Sequence, residues 1–118
     1  MTAIPRPIDL TDVPEVVTRH LHAHDTHDIP AVAATLTPEA SITDDGHTYE
    51  GIDAITGWLE QIRTEFTYTT TPVAAEHTGV GQYTVTQHLE GDFPGGSVDL
   101  RYRFTLDEGL IRRLVIAP

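Results

Sequence analysis

The chain has 118 residues, a length that suits a single domain with one hydrophobic core. Eighteen acidic residues against seven arginines give a formal charge of −11, which argues against nucleic acids and anionic membrane surfaces as partners. The chain contains no cysteine, which excludes both a disulfide framework and a thiolate metal site.

Residues 1–10 carry Pro5 and Pro7 and predict an extended lead-in. The same residues lack a basic region followed by an apolar stretch, so we expect no signal peptide. No apolar run approaches ~18 residues, so we also expect no membrane span. We therefore expect a cytoplasmic protein that consists of one domain over residues 1–118.

Three helices are predicted in the first half of the chain. Thr11 or Asp12 caps the first, which should end near residues 25–27. Its apolar face recurs at helical spacing and comprises Val13, Val16, Val17, His20, Leu21 and His24. Asp28 caps a short second helix, which buries Leu36 and is ended by Pro38.

Glu50-Gly51 leads into the third predicted helix, with Asp53 in its first turn. Its buried stripe comprises Ile55, Trp58, Leu59, Ile62 and Phe66.

A short strand over residues 39–44 is predicted between the second and third helices. Ala40 and Ile42 alternate with Ser41 and Thr43, which places Asp44 on the same face as the two apolar side chains. Asp45-Gly46 predicts a turn directly after this strand.

Four further strands are predicted, over about 66–76, 83–89, 98–105 and 110–117. Residues 91–96 form a glycine-rich loop that could act as a lid. The segregation of helices and strands predicts an α+β fold in which three N-terminal helices pack on a curved antiparallel sheet. Such an arrangement would enclose a conical cavity.

The chain resembles the SnoaL-like branch of the nuclear transport factor 2-like (NTF2-like) superfamily, which includes ketosteroid isomerases, polyketide cyclases and limonene epoxide hydrolases. The resemblance is carried by His24-Asp25-Thr26-His27-Asp28-Ile29-Pro30-Ala31-Val32, Glu39-Ala40-Ser41-Ile42-Thr43-Asp44-Asp45, Tyr49-Glu50-Gly51-Ile52-Asp53-Ala54-Ile55 with Trp58, and Tyr102-Arg103-Phe104. It implies an NTF2-like α+β cone and commonly a homodimer.

The ketosteroid isomerase pattern implies roles for three positions. Its general-base aspartate falls on Asp44, and the tyrosine that donates to the substrate oxygen falls on His20. Its second donor, a protonated aspartate, falls on Leu100. The acids and arginine of the epoxide hydrolase pattern have counterparts in Asp99 and Arg101, but alternation points these to the opposite face of the sheet.

Asp44 and His20 are therefore the candidate catalytic residues. A partly desolvated Asp44 would be a stronger base for abstracting a proton next to a carbonyl, whereas a carboxylate that only starts a turn would face water. His20 could donate a hydrogen bond to a developing oxyanion, or it could be a core histidine satisfied by a backbone carbonyl. The candidate ligand-binding residues are Trp58, Tyr102, Gln87, Tyr83, Leu100 and Tyr49.

The histidines between residues 20 and 27 also raise the question of a metal. His20 and His24 stand at i and i+4, but the helix supplies no third ligand on their face, so we predict no native metal site. His24 is expected at the helix end, where a cation suits the helix dipole. The chain has no glycine-rich phosphate loop, and we predict no cofactor.

The sequence thus favours a small-molecule enzyme, an isomerase or cyclase that acts on an apolar, carbonyl-bearing ligand. A non-catalytic ligand-binding or dimeric assembly module is the alternative, favoured by Leu100. Arg101, Arg103 and Asp99 lie on the other face of the sheet and could pair with a second copy of the chain.

Overall fold

Helices cover one face of a single sheet in the computed structural model, which describes residues 5–65 and 67–118, with the backbone alone for residues 63–65. Three α-helices and a seven-stranded sheet form the described part of the chain, as expected for an α+β fold. None of the helices in these ranges is long and apolar enough to cross a membrane. Phe66, predicted on the buried stripe of the third helix, lies outside the described residues.

The helices are α1 at Glu15–Asp25, α2 at Ile29–Ala33 and α3 at Ile52–Glu65, and one turn of 3-10 helix at Leu10–Asp12 precedes α1. The predicted caps Thr11 and Asp12 lie in that turn, and α1 begins instead after Pro14, since a proline ring already holds φ near its helical value. Asp28 caps α2 as predicted, because its carboxylate accepts a hydrogen bond from the Ala31 N–H at 3.3 Å.

The strands are β1 Arg6–Ile8, β2 Leu36–Asp44, β3 His47–Glu50, β4 Tyr68–Gly79, β5 Gln82–Gly91, β6 Ser97–Asp107 and β7 Leu110–Ala117. Their order in the sheet is β1-β4-β5-β6-β7-β2-β3. The predicted antiparallel run from β4 to β7 is confirmed. β2 pairs with β7 in parallel, so the sheet is mixed rather than wholly antiparallel.

The second helix is shorter than predicted, and Leu36 and Pro38 belong to β2. The N–H of Ile111 donates to the Thr35 carbonyl at 2.8 Å, and Leu36 pairs with Ile111, so the chain is already extended at this point. The register shifts between Leu36 and Ser41, and such an irregularity accommodates a proline that cannot donate to the ladder.

The hydrophobic core lies between the helices and the sheet face that they cover, here called the inner face. Among its most buried side chains are Val17, Ile42, Ile55, Phe104 and Leu114. The opposite, outer face carries mostly threonine and arginine side chains on β5, β6 and β7. Side chains do not fill the whole inner face, and a cavity opens over part of it.

Candidate functional site

A cavity of about 440 Å³ opens between the inner face of the sheet and helices α1 and α3. Its aromatic wall consists of Tyr49, Trp58, Tyr68, Phe93 and Tyr102. Leu89, Val98, Leu100 and Ile116 form an aliphatic floor on the strands, and Asp44, Asp45, His24 and His47 supply the ionisable groups. The site is therefore a largely apolar pocket with a few polar groups, the usual composition of a small-molecule site.

Asp44 is the last residue of β2 and lines this cavity. Its side chain is half-buried and accepts a hydrogen bond from the indole N–H of Trp58. Burial raises the pKa of the Asp44 carboxyl above its usual value, and the neighbouring charge of Asp45 adds to the increase. The Trp58 hydrogen bond and His47 oppose this shift in pKa, so the carboxylate is both strengthened as a base and held in place.

Tyr102 projects from β6 into the same wall and is almost completely buried. Burial raises its pKa first, and the nearby Tyr68 and Asp44 raise it further, so the phenol keeps its proton. A hydrogen bond with the side chain of Gln87 opposes this increase in the pKa.

Ring contacts hold the wall together at the Trp58 side. The rings of Tyr49 and Trp58 stack with centroids 5.4 Å apart and an interplanar angle of 24°. The ring of His24 meets Trp58 edge to face at 5.8 Å and Tyr102 at 6.4 Å. Because each ring packs against another, the shape of this wall is set before any ligand binds.

His24 lines the cavity but is not the cation expected at a helix end. Its side chain is buried, and burial lowers its pKa to about 4, with His27 contributing in the same direction. The imidazole is therefore neutral near neutral pH, and its Nε2 atom has no hydrogen-bond partner.

The structure places His20 behind the cavity wall rather than in it. The His20 Nδ1 lies 2.9 Å from the Thr35 hydroxyl, which itself donates to the Val32 carbonyl at 2.6 Å. The hydroxyl hydrogen is thereby used, so Nδ1 of His20 must carry the proton and donate it. Burial lowers the pKa of His20 to about 3, and its ring centroid lies 6.1 Å from that of His24.

Five of the predicted site residues line the cavity together: Asp44, Trp58, Tyr102, Leu100 and Tyr49.

Three other predicted residues, His20, Gln87 and Tyr83, do not line it. Gln87 stands behind Tyr102 and lines a second hollow of about 320 Å³ between α1 and strands β4 and β5. Tyr83 lies at the far end of β5, where its ring stacks on His77 at 4.7 Å. Alternation along β5 places a residue on a face of the sheet, but it does not show how far along the strand the cavity extends.

The structure adds His24, Asp45, His47 and Phe93 to the site. Two of these had a signal in the sequence, since His24 shares a helix face with His20 and Phe93 lies in the predicted loop at residues 91–96. Asp45 and His47 belong to the hairpin between β2 and β3, and a strand at His47–Glu50 was not predicted.

Among the residues that the structure describes, no three or more histidine, aspartate or glutamate side chains lie together as a set that could hold a metal ion. At the paired histidines of α1, the Nδ1 atom of His20 is committed to Thr35.

A family model for the SnoaL-like domain matches residues 17–114. The chain belongs to the SnoaL-like domain family. The structure places Asp44, which the resemblance predicted as the general base, at the cavity wall. No curated protein matches the chain.

Solved structures with the same fold include a candidate polyketide cyclase from Sinorhizobium meliloti, which is 30% identical, with a TM-score of 0.87 over 93% of this SnoaL-like chain and 100% of that chain. A protein with a ketosteroid isomerase-like fold from Catenulispora acidiphila, in complex with trimethylamine, is 18% identical, with a TM-score of 0.79 over 90% and 86%. An NTF2-like protein from Burkholderia pseudomallei is 17% identical, with a TM-score of 0.77 over 87% of each chain. The last two likenesses concern the fold alone.

Proposed function

We propose that this SnoaL-like protein binds a small, mostly apolar, carbonyl-bearing molecule and transfers a proton within it, as an isomerase or a cyclase does. The observation that carries the proposal is the position of Asp44, a half-buried carboxylate with a raised pKa at the wall of a 440 Å³ apolar cavity. A base in such a setting is matched to weakly acidic C–H bonds.

In the proposed reaction, the Asp44 carboxylate takes a proton from the carbon next to the carbonyl. The electron pair of the broken C–H bond forms a new C=C bond, and the carbonyl π electrons move to oxygen to give an enolate. Asp44 then returns the proton to a different carbon in an isomerisation. In a cyclisation, the enolate carbon instead attacks the carbon of a second carbonyl group in the ligand. The oxygen of that second carbonyl then takes up the proton from Asp44.

The enolate oxygen needs a hydrogen-bond donor, and we assign this role to Tyr102, which lines the cavity and whose phenol keeps its proton because burial raises its pKa. The direct donor role expected of His20 stays a prediction. His20 does not line the cavity, and its ring contacts the ring of His24, which does. We assign His20 the role of positioning His24, which packs edge to face on Tyr102 and Trp58.

The resemblance to a candidate polyketide cyclase at 30% identity supports the choice of carbonyl chemistry. A ring closure in such a ligand and a double-bond shift in a smaller ketone both begin with the same proton abstraction. The aliphatic floor and aromatic wall suit the apolar part of either ligand.

The decisive experiment uses a β,γ-unsaturated cyclic ketone, cyclohex-3-enone, whose isomerisation to the conjugated enone is followed by ultraviolet absorbance. We expect Asp44→Asn to lower the rate by about 10²–10⁴-fold, because the variant keeps the shape and loses the base. Asp107→Asn, which changes an exposed carboxylate at the end of β6, is the matched control and should keep the parent rate. An Asp44→Asn protein as active as the parent would contradict the proposal.

The second candidate function is that of a non-catalytic ligand-binding module. The presence of Leu100 in the cavity favours this function. This apolar side chain lines the cavity at the position where the isomerase pattern has its second donor. Under this alternative, the parent protein binds the ketone, detected as a change in Trp58 fluorescence, but gives no conjugated product.

We also propose a homodimer that pairs the outer faces of two sheets. Arg101, Arg103 and Arg113 line a hollow on this face, and Asp99 lies on the same face of β6 as Arg101, so a twofold arrangement can bring opposite charges together. Multi-angle light scattering tests the proposal directly, since a monomeric mass at micromolar concentrations would reject it.

A further inference from the structure

We infer that the cavity is built to hold an organic cation, so that the ligand carries a tertiary or quaternary ammonium group against the Tyr49–Trp58 stack and the Asp45 carboxylate. The inference rests on the proposed function in one respect, that the ligand occupies this cavity. It adds the chemical class of the ligand, which the proposed reaction leaves open.

The first support is the aromatic wall. Five phenyl, phenol and indole rings line the cavity, and the rings of Tyr49 and Trp58 stack with centroids 5.4 Å apart. The faces of such rings carry negative electrostatic potential, which attracts a cation that has given up its water. A neutral apolar ligand needs only apolar surface, whereas a cation gains in addition from the ring faces.

The second support is the sign of the charges at the wall. Asp44 and Asp45 both line the cavity, and Asp45 is exposed at its rim. Arginine does not occur among the lining side chains that the structure describes, and the chain has no lysine. With a formal charge of −11, the whole protein also draws cations and repels anions.

The third support comes from chemistry. In the isomerase pattern that the sequence resembles, the second oxyanion donor falls on Leu100, which lines the cavity and can neither donate a hydrogen bond nor supply charge. An ammonium group on the ligand itself, close to the reacting carbon, would stabilise the enolate by direct charge attraction and acidify the C–H bond. A cationic substituent therefore supplies a stabilisation that this cavity lacks.

The test compares choline with 3,3-dimethylbutan-1-ol, which has the same shape without the charge. Trp58 is the only tryptophan in the chain and lies in the wall, so its fluorescence reports binding of either compound. We expect choline to bind about tenfold more tightly than its neutral isostere at low salt. Equal affinities, or no saturable binding of choline, would overturn the inference.

Two variants locate the binding. Tyr49→Leu removes one ring of the stack and Asp45→Asn removes the rim charge, and each should weaken choline binding while changing the binding of the neutral isostere much less. Asp107→Asn is again the matched control for a lost surface charge and should leave the choline affinity unchanged. If Tyr49→Leu and Asp45→Asn both keep the choline selectivity of the parent protein, the cation binds elsewhere and the inference is overturned.

The two proposals fail in distinguishable ways. Selective choline binding without any cyclohex-3-enone isomerisation removes the proposed reaction and leaves the cation site. Asp44-dependent isomerisation together with equal binding of choline and its isostere removes the cation site and leaves the reaction.

Discussion

The two faces of the sheet hold histidines in opposite electrostatic situations. At the inner face, burial lowers the pKa of His20 to about 3 and that of His24 to about 4. On the outer face, the exposed His88 lies 2.6 Å from Asp99 and 3.0 Å from Glu90, and these hydrogen bonds raise its pKa. Burial therefore disfavours the charged form of histidine on one face, and hydrogen bonds to carboxylates favour it on the other.

The difference shows what each face can do. The inner histidines shape the cavity as neutral rings, since protonation would place an unpaired charge in the core. The outer histidine is hydrogen-bonded to carboxylates that remain in water. Asp44, whose carboxyl pKa is raised by burial, lines the cavity on the inner face.

The largest expected effect is acid destabilisation from the inner pair. The unfolded chain takes up protons on His20 and His24 below about pH 6.5, whereas the folded chain does so only near pH 3 and pH 4. Their contribution to stability is therefore complete above pH 6.5 and is lost as the pH falls through that window. The free energy of unfolding should fall by about 1.4 kcal/mol per pH unit for each histidine.

Chemical denaturation between pH 7 and pH 4.5 measures this slope. His24→Gln should reduce it, because one titrating group is removed from the core. His22→Gln is the matched control, since His22 is exposed on the same helix. An unchanged slope in His24→Gln would show that burial does not hold this imidazole neutral.

A second contrast uses neighbouring residues on β6 that point to the two faces. Phe104 is 1% exposed on the inner face, and Phe104→Ala should destabilise the protein by about 3–5 kcal/mol. Arg103 is exposed on the outer face of a single chain, and Arg103→Ala should change the stability of a monomer by less than about 0.5 kcal/mol. Urea denaturation measures both, and similar losses for the two variants would mean that the outer face is itself buried, as it would be in a dimer.

Much of the fold follows from periodicity in the sequence. Strict alternation along β6 places Leu100, Tyr102 and Phe104 on the inner face, and helical spacing marks the buried side of α1 and α3. Strand β3 escaped prediction because Asp45-Gly46 was interpreted as a simple turn. Both residues have positive φ, at 51° and 77°, which is the geometry that joins two strands as a hairpin.

The residues of the site are harder to predict from periodicity than the fold is. Asp44 could be found because it continues the alternation of Ala40 and Ile42. The sequence analysis favours His20 over His24 as the site histidine, whereas the structure places His24 at the cavity. Helical spacing gives no ground for choosing between them, because both lie on the same helix face and both are buried. Which of them contacts the cavity depends on how α1 lies across the sheet, a tertiary arrangement that helical spacing does not contain.

The smallest expected effect belongs to the outer histidine. A raised folded-state pKa means that the contribution of His88 to stability is complete below pH 6.5 and is lost as the pH rises through its folded-state value. His88→Gln should therefore lower the thermal midpoint slightly at pH 5.5 and leave it unchanged at pH 9, the reverse of the dependence expected for the inner pair. Because the charges of this cluster are exposed and screened by water, the decrease should shrink further in high salt. Histidine titration by NMR provides the direct measurement. If the pKa of His88 does not fall in an Asp99→Asn protein, the Asp99 carboxylate is not what raises it.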